Sequence, residues 1–280
     1  VRRWVESRVK AGMRVIDLCE EVEREIRARR GEPAFPCNVD INEVGAHYTS
    51  PPGDELTIPE ESIVKVDIGV HVDGYVADTA TTIALSSAYS FMKEAVEEAL
   101  NQALKVLSPG VKVSEIGLTI QRTIEGMGLK PIRNLTGHSV GRYLVHTGKH
   151  IPNVGSLNGA RIEVGEIYAV EPFATLREGG GMVVNGPCGN IYRVSKRKLP
   201  KEAEARRLME YILERFKTLP FTPRWLVGLD IVSNPLKVFR MLVEKRFISC
   251  YPMLIEKNLK PVVQAEHTVL VLKDGVEVLT

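Results

Sequence analysis

Two stretches of alternating, β-branched residues enclose a tight turn in the first third of the chain. Residues 64–70 and 75–82 have the composition of strands, and the dipeptide Asp73-Gly74 lies between them. That dipeptide favours a two-residue type I′ hairpin, because both central positions of this turn need a positive φ. We therefore predict a hairpin in which Val72 pairs with Tyr75.

The predicted hairpin carries one acid on each strand. Asp67 faces Ala80 in this register, so Asp78, two residues before Ala80, lies diagonally across from Asp67 on the same face. Diagonal neighbours have Cβ atoms roughly 7 Å apart, a distance that a shared cation can bridge. The alternative is two exposed acids on a solvated face, and the hairpin alone does not decide between the two.

Helical patterns with the same apolar spacing occur in both halves of the chain. Residues 1–30, with Gly31 as a C-cap, and residues 109–128 superpose at an offset of 98, which aligns Val15 with Val113. A second match, at an offset of 104, aligns residues 62–69 with 166–173 and Asp67 with Glu171. Two matches in the same order predict two related α/β halves, each bringing a strand acid to a shared cleft.

The other patterns predict a helical segment inserted into the second half. A helix is expected at 88–107, and strands are expected at 166–175, 182–194 and 262–272. A strongly charged helix at 195–216 and another near 234–245 interrupt the strands. We therefore predict a catalytic domain formed by 1–193 and 251–280, with 194–250 as the insertion.

Composition excludes few functions, but it indicates the cellular compartment. Lys+Arg 37 against Asp+Glu 35 leaves a net charge of +2, which gives no case for nucleic-acid or membrane binding. The cysteines are scattered without a Cys-x-x-Cys pair, which argues against a zinc site or a disulfide framework and suits a reducing cytosol: Cys19, Cys37, Cys188 and Cys250. Since no apolar run reaches the length of a membrane span, the expected location is the cytoplasm.

Three further side chains join the hairpin acids as candidate metal ligands. Glu171 and Glu266 interrupt apolar runs, and carboxylates are seldom buried without a partner or a metal; His138 follows Gly137 in a loop-like setting. Four carboxylates and one imidazole suit two divalent cations such as cobalt, manganese, iron or zinc. Such a centre can generate hydroxide at neutral pH and polarise a carbonyl. Each residue alone has a structural alternative.

The remaining histidines are weaker candidates for the functional site. His71 and His150 are interpreted as surface residues. His267 neighbours Glu266 on a strand, so its side chain is expected to point the other way.

Six segments together resemble the methionine aminopeptidases. They are PAFPCNVDINEVGAHYT, VKVDIGVHVDGYVADTA, NLTGHSVGRYLVH, YAVEPFAT, LPFTPRWL and VQAEHTVLV. The resemblance is to the type 2, archaeal-like branch of the M24 pita-bread metallopeptidases. It implies an α+β fold with two pseudo-symmetric α/β halves and a helical, winged-helix-like insertion. The segment 184–192 is looser than the rest, which leaves the path of that loop open.

The resemblance also implies a role for each candidate. Asp67 chelates one metal, Asp78 and Glu266 bridge both ions, and His138 and Glu171 complete the other, with Glu171 also acting as general base. His47 and His146 contact the scissile peptide without binding metal. The methionine side chain lies in a pocket formed by Phe35, Val145, Phe173 and Tyr251, with His267 as a further candidate.

The implied reaction is removal of the initiator methionine from nascent proteins when the second residue is small, by attack of a metal-bridging hydroxide. The protein is then expected to be a monomer without stable nucleic-acid binding. One alternative is a prolidase-like enzyme on the same fold. Another is a non-catalytic binding protein whose basic insertion residues contact RNA or the ribosome: Arg193, Lys196, Arg197, Lys198, Lys201, Arg206 and Arg207. A solvated helix balanced by Glu202 and Glu204 explains the same residues.

Overall fold

The computed structural model describes residues 1–157 and 159–280. In this part of the chain the α-helices are Arg2–Glu6 (α1), Val15–Ala28 (α2), Ser90–Val106 (α3), Val113–Gly126 (α4), Ala203–Phe216 (α5) and Pro235–Glu244 (α6). The strands of the first half are Glu32–Pro33 (β1), Asn38–Ile41 (β2), Val44–Ala46 (β3), Ile63–Val72 (β4) and Tyr75–Ala84 (β5). Those that follow are Leu129–Pro131 (β6), Thr136–Ser139 (β7), His150–Pro152 (β8), Ile167–Val170 (β9), Phe173–Leu176 (β10), Val183–Val194 (β11), Ile248–Glu256 (β12), Val262–Gln264 (β13), His267–Leu272 (β14) and Gly275–Val278 (β15).

The hairpin is formed by β4 and β5 in the predicted register. Val72 pairs with Tyr75 and Asp67 pairs with Ala80. Asp73 and Gly74 have φ values of 51° and 88°, as the type I′ turn requires. The prediction of this hairpin is therefore confirmed, and it places Asp67 and Asp78 on one face of the sheet.

The internal repeat is confirmed by backbone hydrogen bonds that recur at the two predicted offsets. The amide of Val15 donates to Leu56 O at 2.8 Å, and the amide of Val113 donates to Ala160 O at 2.9 Å. The bridge between Arg14 and Thr57 recurs between Lys112 and Arg161, and the helices α2 and α4 each contain 14 residues. Each helix thus enters its half through the same strand-like contact.

Within residues 1–157 and 159–280, four small sheets form the two halves. The hairpin sheet has the order β1-β4-β2 with β5 beside β4, and the largest sheet of the second half has the order β15-β14-β9-β7-β8. The remaining orders are β13-β10-β6 and β11-β12-β3. The apolar faces of α1 and α2 pack on β2 and β4, while α3 and α4 pack on β9, β10, β13 and β14, which gives each half its own core.

The segment between β11 and β12 has a further apolar cluster. It is built from α5, α6 and the 3-10 turn Pro223–Leu226, with Phe221 and Leu226 fully buried. The charged helix begins at Ala203 rather than at the predicted residue 195, because residues 195–202 follow the end of β11 in irregular structure. Across residues 1–157 and 159–280, none of the helices is long and apolar enough for a membrane span.

Two local expectations were wrong. The helix α2 ends at Ala28, and Arg30 rather than Gly31 takes the left-handed conformation, with a φ of 65°. Gly31 is needed there for space, because an added Cβ would lie 2.6 Å from Val70. The cysteine pattern, which argued against a disulfide framework, also misses one bond: Cys188 and Cys250 form a disulfide between β11 and β12. Antiparallel pairing across the insertion brings together two residues that are 62 positions apart in sequence.

Candidate metal centre and substrate pocket

The hairpin acids meet the second half in a cleft between the two repeats. Asp78 is buried, and the amide of Asp78 donates to Thr268 Oγ1 at 2.7 Å. One carboxylate oxygen of Asp67 and one of Asp78, Oδ1 in each case, are buried without a hydrogen-bond partner. Buried polar atoms are seldom left unpaired in folded proteins, so these oxygens indicate a missing partner.

Glu171 and Glu266 reach the same cleft from breaks between strands. Glu171 lies between β9 and β10, and Glu266 lies between β13 and β14, so neither is a regular strand residue as the sequence suggested. Gln264 Nε2 lies 3.4 Å from a carboxylate oxygen of each. The amide of Glu266 donates to Ala80 O at 3.2 Å, which ties this break to the hairpin.

His138 completes the cluster from strand β7, rather than from the loop expected from the sequence. Its Nε2 lies 3.3 Å from Glu171 Oε1 and 3.7 Å from Asp78 Oδ2. Ligand atoms of Asp78, His138 and Glu266 all lie within 4.8 Å of one another. The cluster thus gathers one imidazole and two carboxylates as potential ligands of a single ion.

Burial dominates the electrostatics of these acids. It raises the pKa of Asp78 to about 7, and burial together with the neighbouring acids raises the pKa of Asp67, Glu171 and Glu266 well above the usual range. Burial also lowers the pKa of His138 to about 3, so the imidazole is neutral and able to ligate. Neutral imidazole and clustered carboxylates are the donors that divalent transition metals prefer, and the orphaned oxygens fit such ions.

The two other predicted histidines flank this cluster. The rings of His146 and His138 have centroids 4.0 Å apart, and the His47 ring meets Tyr251 edge-on at 5.7 Å. Burial lowers the pKa of His146 to about 4 and also lowers that of His47, where a backbone contact with Pro252 opposes part of the effect. Both imidazoles are therefore neutral near pH 7.

A cavity of about 210 Å³ joins these groups to an apolar pocket. All eleven predicted site residues line it: Phe35, His47, Asp67, Asp78, His138, Val145, His146, Glu171, Phe173, Tyr251 and Glu266. Phe35 is held by close contact with Gly69, where an added Cβ would lie 2.3 Å from the ring. Pro220, from the segment between β11 and β12, adds to the wall.

Two further histidines were interpreted from the sequence. His150 is exposed, as predicted, and it also lines the cavity because strand β8 pairs it with His138. His267 lies outside the cavity lining, with its Nδ1 2.9 Å from Thr280 Oγ1, so the expectation that it points away from Glu266 holds and its candidacy for the pocket fails. Sequence reasoning also missed Asn38, Leu135, Thr136, Ile191 and Leu254, which line the cavity as ordinary strand or loop residues.

The fold and the buried acids define a metal-dependent peptidase, and comparison with known proteins gives the family. The model of metallopeptidase family M24 matches residues 1–273. The methionine aminopeptidase of Methanocaldococcus jannaschii is 41% identical over 280 residues, which cover 100% of this chain and 94% of that protein. The chain belongs to metallopeptidase family M24, within its methionine aminopeptidases, as the six sequence segments predicted.

Solved structures of low sequence identity share the fold. The methionine aminopeptidase of Rickettsia prowazekii superposes with a TM-score of 0.68 at 20% identity, covering 99% of this chain and 89% of that chain. A thermophilic Arx1 superposes with a TM-score of 0.81 at 18% identity, covering 99% and 86%. The pita-bread fold expected from the sequence is confirmed.

Proposed function

We propose that this protein removes the initiator methionine from nascent proteins when the second residue is small. One observation carries the proposal: the acid cluster opens directly into an apolar pocket lined by Phe35, Val145, Phe173 and Tyr251. Aromatic and aliphatic walls favour a thioether side chain. The cavity of about 210 Å³ therefore suits an N-terminal methionine whose peptide bond lies beside the acids.

The metal centre of this proposal contains two divalent ions drawn from cobalt, manganese, iron and zinc. Asp67, Asp78, His138, Glu171 and Glu266 would hold them. When bound, such ions lower the pKa of water and polarise a carbonyl oxygen. Asp78 and Glu266, whose ligand atoms lie close to that of His138, would help to hold the ions together with this imidazole.

The side chains of the chain itself supply positioning and proton transfer. The free α-amine of the substrate lies beside the acidic metal cluster in this proposal, which restricts cleavage to the first residue. Glu171, with its raised pKa, takes a proton from the attacking water and returns it to the leaving amine. His47 and His146, neutral in their buried setting, donate hydrogen bonds to the scissile peptide as charge develops on its oxygen.

The test is release of methionine from Met-Ala-Ser by protein supplied with cobalt or manganese. Ala-Pro should be a poor substrate; preferential cleavage of Ala-Pro would favour the prolidase-like alternative, and no release from either peptide would refute the proposal. Glu171→Gln and His138→Ala should each lower kcat by about a hundredfold or more while leaving the fold intact. His71→Ala, outside the cavity lining, is the matched control and should keep the normal rate.

We place this activity in the cytoplasm, acting as a monomer on chains that emerge from the ribosome. The basic residues near α5 are proposed to be a solvated surface without stable nucleic-acid binding, open to transient ribosome contact. Glu202 pairs with Lys245 and Glu204 lies 4.0 Å from Arg207, which supports charge balance within this surface. Binding of ribosomal RNA with steep salt dependence would contradict this assignment.

A further inference from the structure

The backbone of His47 has a conformation that is unfavourable for a residue other than glycine. His47 follows strand β3 and has a φ of 73°, in the left-handed region that residues with a Cβ seldom adopt. Such a conformation persists when the surrounding structure holds it, and it is concentrated at functional sites. The position of the His47 imidazole therefore depends on what packs against this backbone.

Gly189 of strand β11 is the residue that packs against it. A Cβ added to Gly189 would lie 1.7 Å from the His47 carbonyl oxygen, so only glycine permits this approach. The Thr49 amide donates to Gly189 O at 3.0 Å, and Asn190 Nδ2 donates to Thr49 O at 3.2 Å. The backbone of 189–190 thus clamps the segment that carries His47.

The β-ladder between β11 and β12, which should hold Gly189 in place, is irregular. The register between β11 and β12 shifts on both sides of Cys188, which pairs with Pro252. The Cys188–Cys250 disulfide adds a covalent tie at this point. Its two ends adjoin the site: Cys188 precedes Gly189, and Cys250 precedes Tyr251, whose ring lies 5.7 Å from that of His47.

We propose that Gly189 and the Cys188–Cys250 disulfide are positioning elements that hold His47 at the scissile peptide. The inference rests on the role proposed for His47 above. Opening the disulfide frees the bulged part of β11, so Gly189 no longer fixes the left-handed conformation of His47. Because Cys188 is exposed, a dithiol reductant can reach the bond and convert it to two thiols, with its own two thiols oxidised to a disulfide.

The test compares the wild type, a Cys188→Ser and Cys250→Ser double variant, and the wild type treated with dithiothreitol, all supplied with manganese. Substrate release is measured on Met-Ala-Ser well below the unfolding temperature. We expect kcat to fall about tenfold with KM within about twofold, because His47 acts on the developing charge rather than on ground-state binding. An unchanged kcat in the double variant would overturn the proposal.

Repeating the comparison in a His47→Ala background shows whether the disulfide only stabilises the fold or also positions His47. If the disulfide acts through His47, removing it there lowers kcat no further, while the loss in unfolding temperature is the same in both backgrounds. Equal losses of kcat in both backgrounds would overturn the positioning role. If His47→Ala alone keeps the wild-type kcat, the role of His47 fails even though methionine release by the wild type stands.

Gly189→Ala tests the contact with the disulfide intact and should reproduce the loss of kcat. Gly186→Ala, on the same strand, is the matched control, because its added Cβ meets the end of the flexible Ile255 side chain rather than a backbone. Similar rates for these two variants would contradict the role of Gly189. If Gly189→Ala does not fold, the cysteine variants in the two backgrounds still decide the question.

Discussion

Glu23 is the acid whose loss should destabilise the fold most clearly. It lies on α2 with 2% of its surface exposed, and Arg224, which it pairs with, is 8% exposed. Oε1 accepts from Arg224 Nη2 at 2.8 Å and from the Cys37 amide at 3.3 Å. Oε2 accepts from Arg224 Nη1 at 2.8 Å and from Trp225 Nε1 at 2.7 Å. This one carboxylate thus joins α2 to the turn between α5 and α6.

The perturbation is Glu23→Gln, which keeps the shape and removes the charge. Each oxygen of Glu23 faces two donors, so either orientation of the glutamine amide turns its NH₂ group toward donors. The guanidinium of Arg224 is then buried without a counter-ion. Removing one partner of a buried ion pair costs about 3–5 kcal/mol, which corresponds to a drop of roughly 5–9 °C in the unfolding midpoint of a chain of 280 residues.

The assay is thermal unfolding followed by calorimetry and by circular dichroism, at fixed metal concentration. Asp17→Asn is the matched control, because Asp17 lies on the same helix and pairs with Arg14 at 2.6 Å, but with exposed side chains. Exposed pairs contribute little, so this variant should keep the wild-type midpoint. If the two variants have the same midpoint, the ion pair at Glu23 is not a structural tie and the reasoning is refuted.

Two further outcomes follow from the site. In metal-free protein the raised pKa of Asp78, about 7, means that the native state holds a proton that the unfolded chain has lost, so stability falls as pH rises from about 4 to about 7. Manganese should therefore raise the unfolding midpoint more at about pH 7.5 than at about pH 5, and equal shifts would contradict this. Gly69→Ala should push the Phe35 ring toward the pocket and raise KM for Met-Ala-Ser about tenfold with a smaller change in kcat; an unchanged KM would count against the pocket assignment.

Local patterns in the sequence predicted those parts of the fold that depend on near neighbours. The register of the hairpin follows from two residues, Asp73 and Gly74, because a two-residue turn leaves only one pairing. The helices α2 and α4 were predictable from apolar spacing, but they begin at Val15 and Val113, inside the helical segments predicted from residues 1 and 109. These features need no knowledge of distant contacts.

Contacts between distant segments were beyond the same reasoning. Pairing of Cys188 with Cys250 depends on how β11 and β12 align after the chain has passed through α5 and α6. The bond between Glu23 and Arg224 joins residues 201 positions apart, and neither sequence neighbourhood marks the other as a partner. Gly189, which packs against His47, also lies in the segment 184–192, whose path could not be predicted from the sequence.

The repeat predicted which acids occupy equivalent positions in the two halves, but threonine side chains hold the two halves together so that these acids lie in one cleft. Thr79 Oγ1 donates to Glu266 O at 2.8 Å, and Thr82 Oγ1 donates to Gln264 O at 2.7 Å, so β5 of the first half is joined side by side to the break between β13 and β14. Thr268 Oγ1 donates to Asp78 O at 2.7 Å in the opposite direction. Because these bonds run from both halves and are buried, the hairpin and the second half cannot slide past each other without leaving several polar groups unpaired. The acids of the two repeats are thus fixed relative to one another by the fold itself.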